Sequence, residues 1–102
     1  MRTGGEVGEP VADALEELRK KQKSLTYREL QNILKRAGCR VRETKEGCRV
    51  SHAQALGFIV FVPRPHHPGG RKDVKQPYVK KCIELLEIVL EQGEVRHDEE
   101  KP

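Results

Sequence analysis

At Gly38 the hydrophobic period of this chain changes from that of a helix to that of a strand, and this switch limits the fold more than any other feature. Before it, Tyr27, Leu30, Ile33, Leu34 and Ala37 trace one face of a helix. Thr26 with Glu29 makes a capping-box pattern, Leu25 can staple onto Leu30, and Gly38 supplies the stop. The spacing predicts a helix from about Tyr27 to Ala37. After the glycine, Cys39-Arg40-Val41-Arg42-Glu43 alternates as a half-buried strand does, with Arg40 and Arg42 on one face. Lys45-Glu46-Gly47 reads as a turn, Cys48 to Ala53 as a second strand and Gln54 to Gly57 as another turn. Phe58-Ile59-Val60-Phe61-Val62 is apolar throughout and reads as a third strand, covered on both sides and deep in the sheet. Strands this closely connected pair as an antiparallel meander.

Two further helical patterns flank this unit. Pro10 suits a first turn, and Val11, Ala14, Leu15 and Leu18 follow at helical spacing, ending in the solvated run Arg19 to Lys23. Pro77 opens the other, in which Val79, Cys82, Ile83, Leu86, Val89 and Leu90 form a broad apolar stripe with Gly93 as its stop. The expected class is α+β: a three-stranded antiparallel sheet packed against helices, with an extra N-terminal helix. A chain of 102 residues carries one core. That single domain is expected over 10–93, after a disordered 1–9 and before a charged tail, 94–102.

Charge then narrows the partners. The net charge is +4, and the cations crowd Arg19 to Arg49 and return between Arg64 and Lys81, while the last quarter is acidic. A basic body points to a polyanion, RNA above all, as partner. Cys39, Cys48 and Cys82 are an odd number without close spacing, which argues against a secreted disulfide framework and for a reducing cytosol. No apolar stretch approaches the roughly 20 residues that span a bilayer, and the N-terminus lacks a signal-peptide pattern. A soluble, cytoplasmic protein with no membrane partner is the expectation.

The stretch Pro63-Arg64-Pro65-His66-His67-Pro68-Gly69-Gly70-Arg71-Lys72 carries the most chemistry. Proline narrows the positions open to the imidazoles, and paired glycines let a backbone approach a ligand. RNA cleavage by transfer to the 2′-hydroxyl needs a base and cations that stabilise charge developing on phosphate. His66 or His67 can be the base, with His52 a poorer candidate, and Arg64, Arg71 or Lys72 the phosphate clamp. The bland alternative is a solvated loop turned by prolines. Arg40, Arg42 and Arg49 can form a track for an RNA backbone across the sheet, although any one of them alone reads as ordinary surface charge.

Other chemistries lack support. Cys48 reads as a small half-buried residue and Cys82 as core. There is no Cys-x-x-Cys or His-x-x-x-His pair for a metal, and Gly69-Gly70-Arg71-Lys72 lacks the spacing of a phosphate loop, so neither a metal nor a small-molecule cofactor is expected. Tyr27, Phe58, Phe61 and Tyr78 fall mainly at expected core positions, which argues against base stacking and for recognition through backbone charge and shape.

From Leu25 to Gly93 the order of elements and several strings resemble the HicA family of bacterial toxins, whose fold is similar to the double-stranded RNA-binding domain (α-β-β-β-α). The strings are Thr26-Tyr27-Arg28-Glu29-Leu30 leading to Gly38, Gly47-Cys48-Arg49-Val50, and Val60-Phe61 followed by Arg64-Pro65-His66, with a final helix after a basic stretch. The resemblance implies a metal-independent mRNA endonuclease, the toxin of a toxin-antitoxin pair, neutralised by a HicB-like antitoxin that covers its active face. Many members carry their catalytic histidine in a Gly-Ser-His turn; this chain has Gly47-Cys48-Arg49 there, so the base falls to His66 or His67. A non-catalytic RNA-binding module on the same fold, or a protein-interaction domain, is the alternative.

Overall fold

The computed structural model describes residues 3–65 and 73–99, and the side chains of 9–65 and 73–92. Its elements are α1 (Thr3–Lys21), α2 (Tyr27–Arg36), β1 (Arg40–Glu43), β2 (Gly47–Ser51), β3 (Val60–Pro63) and α3 (Gln76–Glu99). The class is α+β.

Local chemistry sets the ends of α2. Thr26 Oγ1 accepts from the Glu29 N–H at 3.1 Å, and the Glu29 carboxylate accepts from the Thr26 N–H at 3.0 Å, completing the capping box. At the other end Cys39 N–H reaches the Leu34 carbonyl and Gly38 N–H the Lys35 carbonyl, both at 3.0 Å. That pair of bonds is a Schellman cap, and it needs the left-handed backbone that Gly38 adopts at φ +89°. The chain leaves the cap directly into β1.

The sheet is an antiparallel meander of order β1-β2-β3. Val41, Cys48, Val50, Val60 and Val62 turn to the helical side, where all but the half-buried Val41 are buried. α2 lies against β1 and α3 against β3, while α1 packs along α3 and also meets α2. Leu18, Leu25, Leu30, Leu34, Leu85 and Leu86 are fully buried in the core between these layers. At roughly 1.5–3 kcal/mol for each large side chain taken from water, this stripe pins the helices to one face.

Three expectations are corrected. β3 is not covered on both sides: it is an edge strand, and with the helices on one face of the sheet Phe61 remains 40% exposed and Ile59 61% exposed. The segment 1–9 is helical from Thr3 onward, so Pro10 stands inside α1 rather than at its start. Val11 to Leu18 are anchored by packing, and each residue added to that helix gains a backbone bond; Pro10 works against the extension, since it forfeits one bond and crowds the carbonyl four residues earlier, at about 3 kcal/mol. By the same reasoning α3 continues through Gly93 to Glu99, since a helical glycine costs only about 1 kcal/mol and neither a left-handed turn nor a proline interrupts it.

Candidate nucleic-acid interface

The face of the sheet away from the helices is open, and pairing register decides what stands on it. Arg42 lies opposite Arg49, Arg49 opposite Phe61, and Arg40 opposite Ser51. Residues directly opposite project to the same side, so Arg42, Arg49 and Phe61 form one row across three strands, with Arg40 beside it. All four side chains are exposed. Arg40 and Arg42 share a face as their alternation predicts.

These arginines differ from others in the chain. Arg19 pairs with Glu87 at 2.6 Å, Arg36 with Glu17 at 3.3 Å and Arg64 with Glu43 at 2.7 Å. Arg40, Arg42 and Arg49 have no carboxylate partner among the described residues. Among the described residues, therefore, the row holds positive charge without a carboxylate partner next to an aromatic ring. Like charges opposite one another destabilise a sheet, so the fold gains nothing from placing Arg42 against Arg49.

Arg64, a candidate phosphate clamp, is occupied within the fold. Its guanidinium donates to the Glu43 carboxylate, to the Thr44 carbonyl at 3.0 Å and to the Lys45 carbonyl at 2.9 Å, and it lies 5.8 Å from the centre of the Tyr27 ring. Its own N–H reaches the Glu46 carbonyl at 2.8 Å. Arg64 thus fastens the end of β3 to the β1–β2 turn. Gln31 and Tyr27 also donate to Glu43, and the Gln31 hydrogen bond, followed by that of Arg64, holds this carboxyl below its ordinary value. Sequence spacing could not reveal this network, because its members come from α2, β1 and the end of β3.

His52, the poorer candidate base, is structural. The Gln54 N–H donates to its Nδ1 at 3.0 Å, which leaves Nε2 to carry the proton and donate to the Ala37 carbonyl at 3.2 Å. The ring is buried, with neither nitrogen facing an open surface. Cys48 is fully buried on the helical side rather than half-buried. Burial pushes the Cys39 thiol up to about 12, and burial with the neighbouring thiols does the same to Cys82, so both are held as unreactive S–H groups.

His66, His67, Arg71 and Lys72 lie outside the described residues. The described residues on either side of them are fixed. Arg64 sits over Tyr27, Asp73 pairs with Thr26 in an isolated bridge, and Val74 N–H reaches the Leu25 carbonyl at 2.7 Å. Both flanks therefore meet at the N-terminus of α2.

Among the described residues no group of three or more His, Cys, Asp or Glu side chains is arranged to hold a metal ion, and no helix is long and apolar enough to cross a membrane. No family model, curated protein or solved structure matches the chain. From the sequence Phe61 and Ile59 read as covered, and both are exposed. In an unbroken apolar run, no polar neighbour marks which side chains face water.

Proposed function

We propose that this protein is a HicA-like toxin that acts on RNA and engages it through the open face of its sheet. The observation that carries the RNA reading is the row Arg42, Arg49 and Phe61 with Arg40 beside it, exposed and free of carboxylate partners among the described residues. Uncompensated arginines on a surface bind phosphate by releasing its counterions, which makes affinity steeply salt-dependent. A HicB-like antitoxin would act by covering this face with acidic and apolar groups.

Cleavage rests on the resemblance and on His66 or His67. The base takes the proton of a ribose 2′-hydroxyl; the 2′-oxygen bonds to the adjacent phosphorus, and the bond from phosphorus to the 5′-oxygen breaks. A 2′,3′-cyclic phosphate and a 5′-hydroxyl result, the latter taking its proton from the protonated imidazole or water. No metal enters this scheme. A non-catalytic RNA-binding module is the second reading, favoured by Arg49 at the position of the family's turn histidine and by the engagement of both ring nitrogens of His52.

One experiment separates the two. End-labelled mRNA is incubated in chelator with the full chain, with His66→Ala, with His67→Ala, and with the double variant Arg42→Ala/Arg49→Ala. Loss of cleavage in one histidine variant, with RNA still retarded on a gel, supports the toxin and names its base. Retarded but intact RNA throughout moves the assignment to the binding module. RNA that the wild type neither cuts nor retards overturns both.

A further inference from the structure

We infer that the open face binds single-stranded RNA specifically, with an unpaired base stacked on Phe61 and the flanking phosphates on Arg49 and Arg42, an inference that rests on the RNA reading of this face. Among the described residues Phe61 is the one aromatic side chain whose register places it on that face, and it is 40% exposed. Ile59, two residues earlier, is 61% exposed and widens the apolar strip. Adjacent strands lie about 4.8 Å apart, so Arg49 stands one strand spacing from the ring and Arg42 two. An apolar ring bordered on one side by exposed cations matches a nucleotide with its base unstacked from neighbours and its backbone to one side.

A duplex does not meet those requirements. Its base faces are buried in the stack, and a regular helix offers this surface only phosphates and ribose edges. The three arginines could hold a duplex, but Phe61 and Ile59 would then be desolvated against charged backbone. A single strand satisfies both halves of the surface, since every base has a π-face and stacking tolerates any sequence. Phe61 is thereby a discriminating residue: the arginines supply affinity for any polyanion, and the ring supplies preference for unpaired bases.

The test uses labelled oligouridylate with 2′-O-methyl riboses, which transfer to the 2′-oxygen cannot cut, beside a perfect 2′-O-methyl duplex of equal length. Affinities of the full-length wild type, Phe61→Leu and Arg49→Ala are read by anisotropy across a salt series, with circular dichroism to confirm folding. The expected result is tighter binding of the single strand. Phe61→Leu should weaken it about tenfold without changing its salt slope and leave duplex binding unmoved. Arg49→Ala should weaken both and make the salt dependence of single-strand binding shallower by about 0.7 for each phosphate that is no longer neutralised. Phe61→Trp supplies an independent readout, since indole emission should be quenched by the single strand alone. Equal binding of both forms, with Phe61→Leu indistinguishable from wild type, overturns this inference and leaves the RNA reading standing. Failure of the wild type to bind either form overturns the RNA reading itself.

Discussion

His52 Nε2 donates to the Ala37 carbonyl at 3.2 Å, which joins the end of β2 to the C-terminal cap of α2. The same ring accepts from the Gln54 N–H, so one buried side chain holds two separate backbone segments. His52→Ala removes a donor from one and an acceptor from the other. It should destabilise the fold by about 2–3 kcal/mol, as the loss of two largely buried hydrogen bonds does. Urea denaturation measures the loss. Any RNA binding or cleavage by the protein that remains folded should be unchanged, and a folded but inactive variant would return His52 to the mechanism.

Gly47 is required by packing rather than by backbone conformation. A Cβ built there overlaps the Val62 carbonyl oxygen and comes within 2.8 Å of Pro63 Cα, both backbone atoms of the paired strand. Nothing flexible can move aside. Gly47→Ala must push β3 away from β2, and destabilisation of about 3 kcal/mol, the upper part of the usual range for overpacking, is expected. Thermal melting followed by circular dichroism would show it. Gly57→Ala is the comparison: its Cβ meets nothing within 4 Å, so only the strain of φ +87° applies and the loss should be smaller.

The contrast between these residues shows what the sequence could convey. Thr26, Glu29 and Gly38 act within a few residues of one another, so the limits of α2 were legible from spacing alone. The alternation of Cys39 to Glu43 placed Arg40 and Arg42 on one face because a strand's period is itself local. The roles of Phe61 and Arg64 depend on distant chain. Whether Phe61 is core or surface turns on which faces of the sheet the helices cover, and Arg64 on a carboxylate and carbonyls from the β1–β2 turn. His52 was readable as a structural residue only once Ala37 stood beside it.

On the proposed RNA reading, Arg49 opposite Arg42 sets stability against binding. Removing one of two like charges from directly opposed positions should stabilise the sheet, and threonine suits a strand. Arg49→Thr is expected to raise the unfolding free energy by about 0.2–1 kcal/mol while weakening RNA binding at low salt. Lys80→Thr removes the same charge from exposed helical surface and should do neither to the same degree. Paired urea titrations and gel retardation check both halves. Arg49→Thr that loses stability and keeps full affinity would count against the open face as the RNA surface.

The ionisable groups predict a stability plateau with two descending limbs. Glu43 is held below its ordinary value by Gln31 first and then Arg64, so its contribution is complete above the unfolded carboxyl value of about 4.3 and is lost as pH falls through the folded one. Cys39 and Cys82 are displaced the other way, to about 12, chiefly by burial, and burial also raises the Tyr27 hydroxyl. Groups raised on folding contribute fully below their unfolded value, about 8.5 for a thiol, and lose that contribution as pH climbs toward the folded one. Urea midpoints should therefore be level between about pH 5 and 8 and fall on either side. Glu43→Gln should flatten the acid limb and leave the alkaline one. Cys82→Ala should lower the whole curve through its cavity but make the alkaline limb shallower; an alkaline limb of unchanged slope would mean that this thiol ionises in the folded protein. Iodoacetamide then supplies the direct check, since at pH 8 Cys39 and Cys82 should be alkylated only through opening of the fold, far more slowly than a free thiol and at a rate that rises as urea increases the open population.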